Sequence, residues 1–373
     1  MFLALVIFVA CLSVKIHASN KLVTLPRSIT SLLEADNFFR DPSVPFSFVN
    51  INGNLKLDQI KLFASRNASF ISYSPEFTAL IGQNPQLKLI ERRDLSLPFA
   101  HEGGAYIPET NEIWFTANQL PVQNTNVTGI NLSTNKVTLL NINPPITTPN
   151  GVNYFEGLAY VCSQGDKTTP AGIYAVNPKT LVSRPVVNSW FGFRLNSPND
   201  VAFSTKIAGK KFMWFTDPQV AFLQDFSNQP QYRSTVFRYD FSTADLRPVI
   251  TDLAIPNGIA FNQKETVLYV TDTYPDQDIR IVYAYDLTAD GLPINRRIFS
   301  VSSFGIPDGI RVDKKDRVWI AEGDGLNVRD RYGTVLGVIL GYDLSPTGLI
   351  SNFGWMKNTI ILLVQESLWR LDL

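Results

Sequence analysis

The sequence predicts an all-β protein, a six-bladed β-propeller, and two observations lead to that prediction. Runs rich in β-branched and aromatic residues are dense along the chain, and Asn-Pro, Asp-Gly and Pro-rich turns separate them. Related short phrases recur at spacings of 54, 43, 58 and 51 residues, and each phrase opens an apolar run. A repeating unit of roughly 40–50 residues with four strands is typical of a propeller blade.

Five phrases mark five of the predicted blades. They cover residues 101–106, 154–159, 197–203, 255–261 and 306–312, and each holds one polar residue at a comparable place: Glu102, Glu156, Asn199, Asn257 and Asp308. Second strands are predicted at 112–116, 212–216, 267–271 and 317–321, and third strands at 172–176, 236–240, 282–286 and 338–343. Each blade is therefore expected to bring one polar side chain to the same level of the ring.

The two ends of the chain complete the predicted ring. A sixth blade follows Asp343, with strands at 350–353, 359–364 and 367–371. We expect its missing strand from the segment before Glu102, around residues 46–51 or 57–64. A short amphipathic helix is predicted within residues 28–39, ahead of the first strands.

The N-terminal residues predict secretion. Residues 2–14 are an apolar run that is shorter than the roughly 20 residues of a membrane span. Small residues, Ala18 and Ser19, follow it. The pattern predicts a secretory signal peptide over residues 1–18 and one propeller domain over residues 19–373, free of the membrane once the signal is cleaved.

Three sequons agree with a secreted glycoprotein, and they predict glycosylation at Asn67, Asn126 and Asn131.

The composition of the chain restricts its possible partners and the kinds of site that it can form. Lysine plus arginine and aspartate plus glutamate number 33 each, so no charge excess favours nucleic acid. His17 belongs to the predicted signal, which leaves His101 as the one histidine of the mature chain. A zinc site with several imidazoles and a catalytic histidine pair are thereby excluded.

Four polar residues from different blades are predicted to meet. The innermost strand of each blade lines the central channel, so residues at the starts of equivalent strands converge on one mouth. Glu102, Asn199, Asn257 and Asp308 would offer two carboxylates and two amide oxygens there, a set that suits a hard cation such as calcium. Pro-Asn-Gly and Pro-Asp-Gly are also ordinary turn sequences, which is the alternative interpretation.

These residues resemble those of a known family, the gluconolactonase, regucalcin and senescence-marker-protein group of six-bladed propellers. The resemblance rests on residues 195–201 with 214–218, on Pro256-Asn257-Gly258 and on Pro307-Asp308-Gly309. Residues 98–104 resemble more narrowly the secreted fungal lactonohydrolases. The resemblance covers residues 70–373 and implies a Ca²⁺ ion, or another divalent cation, held by Glu102, Asn199, Asn257 and Asp308. Only this family pattern prefers Glu102 over Glu156 as the acidic ligand.

The implied function is a secreted, calcium-dependent lactonase that hydrolyses a small, sugar-acid-like lactone to its hydroxy acid. A cation at this site polarises the lactone carbonyl, and Asp308 is the expected general base that activates water. His101, Glu156 and Asn199 are the expected substrate-binding residues.

Three other functions stay open at this point. A phosphotriesterase could use the same cation, because the ligand set does not choose the bond that is cleaved. A condensing propeller of the strictosidine-synthase type needs a catalytic glutamate without the Asn-Asn-Asp set, so the intact set in this chain argues against it. A non-catalytic propeller that binds a small molecule would need only the ring and its loops.

Overall fold

The structure is a computed structural model, and it describes residues 18–34, 37–52, 57–94, 96–119, 125–273 and 280–373. Residues 1–17 of the predicted signal peptide lie outside these ranges, so the signal stays a prediction. Within the described ranges, no helix combines the length and the apolar character that a membrane crossing requires.

The chain forms a six-bladed β-propeller, as the sequence predicts. We number the blades in chain order and give their strands from the innermost outwards. Blade 1 consists of Glu102–Ile107, Glu112–Thr116, Val127–Asn131 and Val137–Leu139. Blade 2 consists of Pro149–Phe155, Leu158–Ser163, Gly172–Val176 and Ser183–Val187. Blade 3 consists of Val201–Ser204, Phe212–Asp217, Thr235–Asp240 and Asp245–Ile250.

The second half of the ring repeats this antiparallel pattern. Blade 4 consists of Pro256–Phe261, Val267–Asp272, Ile281–Leu287 and Pro293–Val301. Blade 5 consists of Ile310–Val312, Val318–Glu322, Gly325–Arg329 and Val335–Leu340, extended outwards by Phe70–Ser72 and Leu22–Thr24. Blade 6 consists of Asn352–Met356, Thr359–Val364 and Ser367–Asp372, with Leu87–Arg92 as its outermost strand.

The ring closes through Leu87–Arg92, which pairs antiparallel with the last strand of the chain. The N-terminal region thus supplies the outermost strand of blade 6, but neither of the predicted segments forms it. Residues 57–64 belong to the helix Leu57–Ser65, because leucine, glutamine, lysine and alanine favour a helix over a strand. Asn50–Asn52 pairs with Asn37–Phe39 in a separate hairpin.

Two further predictions need correction. The predicted helix within 28–39 is only the 3-10 turn Arg27–Thr30, and the strand Asn37–Phe39 follows it. The run at 338–343 is the fourth strand of blade 5 and not the third, because a two-residue turn at Gly323-Asp324 admits Gly325–Arg329 before it.

The remaining regular elements are short and lie in the connections. The helices are Pro75–Ile81 and Val220–Leu223, and a hairpin joins Ser189–Trp190 to Phe193–Arg194. Further 3-10 turns are Phe46–Phe48, Ile207–Gly209 and Gly341–Asp343.

Apolar layers between the blades form the core. Trp114, Trp214 and Trp319 are buried on the second strands of blades 1, 3 and 5, and each packs against side chains of the following blade. Cys162 is buried in the second strand of blade 2, as a free thiol. The innermost strands of neighbouring blades contact each other around a central channel. We call the end at which these strands begin the upper mouth.

Candidate metal centre

Four predicted ligands lie at the upper mouth, each on a different blade. Glu102 is the first residue of the innermost strand of blade 1, and Asn257 is the second residue of that of blade 4. Asn199 and Asp308 each precede the innermost strand of their blade by two residues. Glu102, Asn199 and Asp308 are buried, with 3 to 7% of their surface exposed. The chain thus brings the repeated polar residues together.

Glu102 and Asp308 are close neighbours across the channel. One ligand atom from each of them and one from His101 lie within 4.8 Å of one another. Asn352 of blade 6 donates a hydrogen bond to Glu102 Oε2 at 3.1 Å. Such an arrangement can hold a cation between blades 1 and 5.

Several oxygens at this mouth lack a hydrogen-bond partner among the described residues. They are buried side-chain oxygens, namely the Oδ1 atoms of Asn150, Asn199, Asn257 and Asp308. An unpaired buried acceptor costs about 1–3 kcal/mol, so four in one place require an explanation. Carboxylate and amide oxygens are the ligands that calcium takes in proteins. The donor set therefore fits a hard divalent cation.

The charges at the floor of the mouth also favour a divalent cation. Three buried carboxylates, those of Glu102, Asp200 and Asp308, lie near a single guanidinium, that of Arg311. Three negative charges and one positive charge leave an excess of two negative charges when all are ionised. Isolated charges are very costly inside a protein, and a divalent cation would neutralise this excess.

Without a cation, the carboxylates resist ionisation. Burial, followed by the neighbouring Asp308 and Asp200 carboxylates, raises the pKa of Glu102 well above its usual value. Burial also raises the pKa of Asp308, to about 7, although a hydrogen bond from Asn257 opposes the shift. A bound cation would reverse both effects by stabilising the ionised forms.

His101 lies beside Glu102 as a neutral imidazole. Burial lowers the pKa of His101 to about 4, so the ring carries no charge at neutral pH. Its Nδ1 is 2.7 Å from the side-chain amide nitrogen of Gln365, which can only donate. The proton of the neutral ring therefore resides on Nε2, which lies 3.7 Å from Glu102 Oε1. This N–H can serve as a hydrogen-bond donor at the mouth.

Hydrogen bonds between blades fix the backbone of the ligand residues. Thr116 Oγ1 donates to the carbonyl oxygen of Asn150 at 2.9 Å, across the boundary between blades 1 and 2. Thr216 donates in the same way to Asn257 at 2.6 Å, and Thr271 to Asp308 at 3.0 Å. Each threonine is the last or second-last residue of the second strand of its blade, and it holds the mouth residue of the next blade.

Glycines that follow Asn150 and Asn257 allow this close approach. A Cβ atom at Gly258 would lie 2.5 Å from the carbonyl oxygen of Asp308, and one at Gly151 would lie 2.2 Å from that of Asn199. No side chain fits at such distances. The Asn-Gly and Asp-Gly pairs are therefore packing requirements of the ring as well as turn signals.

The structure corrects the prediction for Glu156. Glu156 follows the far end of the innermost strand of blade 2, and its half-exposed side chain pairs with Lys211 at 2.6 Å. It also takes a positive φ of 47°, which is typical of a tight turn. Glu156 is thus a surface turn residue at the opposite end of the blade from the mouth.

Asn150 takes the place in blade 2 that was assigned to Glu156. The signal was present in the sequence, because Pro149-Asn150-Gly151-Val152 repeats the pattern of Pro256-Asn257-Gly258-Ile259. Counted from Asn150, the first two spacings become 48 and 49 residues, which is more regular than 54 and 43. The sequence analysis also missed Asp200, Arg311 and Asn352. The phrases of blades 3 and 5 had already supplied Asn199 and Asp308, so Asp200 and Arg311 beside them were not considered. Asn352 lies in blade 6, for which no phrase was found.

A six-bladed propeller with carboxylate and amide oxygens around one mouth of its channel is the class of protein that this fold and site define. The comparison with family models makes the assignment specific. The chain belongs to the SMP-30/Gluconolactonase/LRE-like family, whose model matches residues 101–340. The resemblance inferred from the mouth residues is confirmed.

Similar proteins include lactonohydrolases and gluconolactonases. Lactonohydrolase oryH of Aspergillus oryzae is 24% identical over 379 residues, which cover 80% of each protein. A gluconolactonase of Zymomonas mobilis is 29% identical over 227 residues, 58% of this chain and 60% of the relative.

Solved structures share the fold. A gluconolactonase of Xanthomonas campestris aligns with a TM-score of 0.67 and 24% identity, over 81% of this chain and 93% of that one. Regucalcin of Agrobacterium tumefaciens, described as a calcium-binding protein, aligns with a TM-score of 0.54 and 14% identity, over 76% of this chain and 92% of that one.

Proposed function

We propose that this protein is a calcium-dependent lactonase that hydrolyses a small, sugar-acid-like lactone to its hydroxy acid. The observation that carries the proposal is the set of buried side-chain oxygens at the upper mouth that have no hydrogen-bond partner within the described part of the chain. Family membership and the lactonohydrolase and gluconolactonase relatives support the reaction class.

The proposed calcium ligands are Glu102, Asn199, Asn257 and Asp308. Asn150 offers one more unpartnered oxygen at the same mouth and can contribute through a water molecule. When bound, the ion supplies Lewis acidity that polarises a carbonyl and stabilises negative charge on its oxygen.

The residues of the chain supply the rest of the reaction. Asp308 accepts a proton from the attacking water as the water oxygen forms a bond to the lactone carbonyl carbon. The ring C–O bond then breaks, and the leaving oxygen takes up the proton that Asp308 accepted from water, so that it becomes the hydroxyl of the product and Asp308 returns to its carboxylate form. His101 donates its Nε2–H to a substrate oxygen, and the amide of Asn199 contacts the substrate from the opposite side of the mouth.

The decisive experiment measures hydrolysis of a sugar-acid lactone with calcium and with a chelator, for the wild type and for Asp308→Asn. We expect chelation to abolish hydrolysis, added calcium to restore it, and Asp308→Asn to lower kcat by about 100-fold or more. A phosphotriester is tested in parallel. Faster cleavage of the phosphotriester would reassign the substrate, and lactone hydrolysis that survives both chelation and Asp308→Asn would refute the proposal.

We also propose that the protein is secreted and glycosylated. Asn67 and Asn126 are exposed, as a glycan requires. Asn131 is half-buried, its amide donates to Thr110, and its oxygen accepts from the turn that follows. Mass spectrometry of the secreted protein before and after deglycosylation should find glycans at Asn67 and Asn126 in preference to Asn131.

A further inference from the structure

Arg311 crosses the central channel below the upper mouth and contacts three blades. One guanidinium nitrogen donates to Asp200 Oδ2 of blade 3 at 3.2 Å and to the carbonyl oxygen of Ile310 at 2.8 Å. The other terminal nitrogen donates to the carbonyl oxygen of Gly103 in blade 1 at 2.8 Å. Asp200 is fully buried and the Arg311 side chain is 16% exposed, so the ion pair lies within the protein.

Each of these contacts adjoins a proposed calcium ligand in the chain. Gly103 follows Glu102 directly, and Asp200 follows Asn199 directly. Arg311 itself lies three residues after Asp308, on the strand that Asp308 precedes. A single guanidinium therefore connects the backbone segments of three ligands on three different blades.

The backbone of blade 1 is shaped to make this contact. The register of its inner strand pair shifts between Gly103 and Ala105, and Gly103 has a φ of 88°. A positive φ turns the peptide away from the regular strand direction and favours glycine. The bulge leaves the carbonyl oxygen of Gly103 within hydrogen-bond distance of Arg311, while Glu102 remains at the mouth.

We propose that Arg311 is a positioning residue for the calcium centre, which ties the segments of Glu102, Asn199 and Asp308 into one rigid unit. The forked guanidinium suits this role, because it can donate to several fixed acceptors at once and a lysine cannot. The inference rests on the proposed function, since it assumes that these residues bind calcium.

The same side chain also reaches the lower half of the channel. A cavity of about 300 Å³ opens at the end opposite the upper mouth, and Arg311 lines it together with Asn153, Phe203 and Trp355. Arg311 therefore lies between this cavity and the segments of the proposed ligands, and loss of its contacts would loosen those segments.

Two substitutions that conserve net charge test the positioning role. Arg311→Lys keeps the charge and removes the fork, whereas the double variant Asp200→Asn with Arg311→Met removes both charges and avoids an unpaired buried carboxylate. Calcium affinity is measured by calorimetric titration of chelator-treated protein, with circular dichroism to establish folding. Arg317→Lys is the matched control, because Arg317 is 11% exposed and pairs with Asp313 and Glu76 away from the mouth.

We expect both Arg311 variants to bind calcium about tenfold or more weakly than the wild type, because residues that orient metal ligands typically contribute 10–100-fold to affinity. The control should stay within about twofold of the wild type, since it leaves the ligand segments intact. Lactone hydrolysis should require proportionally more calcium in both variants. Folded Arg311 variants that bind calcium with wild-type affinity would refute the positioning role. Both variants conserve net charge, so a change in net charge cannot account for a loss of calcium affinity.

The two failures are distinguishable. A wild type that neither binds calcium nor hydrolyses lactones would overturn the proposed function, and the role of Arg311 with it. A wild type that does both, alongside folded Arg311 variants that match it, would overturn the role of Arg311 alone.

Discussion

Glu102 and Asp308 occupy positions that destabilise the protein when no cation is bound. Both carboxyl groups are buried, and burial raises the pKa of each because the charged form is poorly solvated. A purely structural residue would not be kept under such conditions, since an amide of the same shape would avoid the cost. The unfavourable electrostatics are expected at a functional site.

Glu102→Gln should therefore change stability and binding in opposite directions. The amide keeps the contact with Asn352 and removes a buried acid, so chelator-treated protein should gain about 1–2 kcal/mol in its free energy of unfolding. Calcium affinity should fall by about 100-fold or more, because one of two anionic ligands is lost. Urea unfolding with chelator and calorimetric titration measure the two effects.

The matched control is Glu112→Gln, at the far end of the same hairpin. Glu112 accepts a hydrogen bond from Trp114 and lies away from the mouth. Its replacement should leave calcium affinity unchanged. If Glu102→Gln destabilised the chelator-treated protein, the interpretation of Glu102 as an electrostatically strained ligand would be wrong.

Among the structural elements, the ends of the second strands have a special role, because they hold the mouth of the neighbouring blade. Thr216→Val and Thr271→Val each keep the side-chain shape and remove one hydrogen bond between blades. Each also removes a hydrogen bond that the hydroxyl accepts from a backbone N–H of its own blade. Each should lower the free energy of unfolding by about 1–2 kcal/mol and weaken calcium binding, because a ligand backbone loses its anchor.

Thr235→Val provides the comparison for these two variants. Thr235 is buried on blade 3 and donates to the nearby carbonyl oxygen of Arg233, so its hydrogen bond is local to that blade. We expect a similar loss of stability with unchanged calcium affinity. Equal effects of all three variants on calcium binding would contradict a specific role for the bonds between blades.

The hairpin between the outer strands of blade 3 predicts a pH dependence of stability. Burial alone would raise the pKa of Asp240, but hydrogen bonds from Ser242 and Lys210 outweigh it and lower the pKa to about 2. A depressed folded-state pKa contributes stability that is present above the unfolded value of about 3.9 and is lost as the pH falls towards 2.

Asp240→Asn tests this expectation in thermal unfolding between pH 2 and 6. The wild type should exceed the variant by about 1 kcal/mol near pH 6, and the difference should vanish as the pH approaches 2. A difference that does not vary over this range would show that the carboxylate form of Asp240 contributes nothing.

At the scale of the whole molecule, ring closure depends on one N-terminal strand. Leu87 is buried where it pairs with Leu371, while Lys88 on the opposite face is exposed. Leu87→Asp should lower the free energy of unfolding by about 3 kcal/mol or more in urea unfolding, because it places a charge between the closing strand and the last strand of the chain. Lys88→Asp should change stability by less than about 0.5 kcal/mol. Equal effects of the two variants would argue against closure by this strand.

The proposed processing of the N-terminus has a structural consequence. The amide nitrogen of Ser19 lies 2.5 Å from Asp343 Oδ2, and the Ser69 hydroxyl donates to the same oxygen. Cleavage after Ala18 would convert this nitrogen into an ammonium group that faces a carboxylate. We predict that intact-mass analysis of the secreted protein finds Ser19 as the first residue. We also predict that Asp343→Asn lowers its free energy of unfolding by about 1 kcal/mol.

Much of this architecture could be predicted because it depends on local patterns. The second strands with Trp114, Trp214 and Trp319 are continuous runs of apolar and β-branched residues between clear turns, and they form as expected. Predictions failed where local signals were weak or ambiguous. The closing strand Leu87–Arg92 is one short run among several candidates, and its partner lies at the other end of the chain. Glu156 lies in the middle of a phrase that resembles the repeat, but its place there reflects the tight turn after the innermost strand of blade 2.

The sequence by itself determined the period of the fold and the repeated polar residue of each blade, because strand propensity, turns and spacing act over a few residues. Only the tertiary structure decided which of those residues meet. In blade 2, the residue at the mouth is Asn150 and not Glu156. The glycines of the phrases also allow neighbouring blades to pack closely. The tertiary structure also placed Arg311 between three blades, a contact that depends on residues up to 208 positions apart. Such contacts follow from closure of the ring, which no local pattern records.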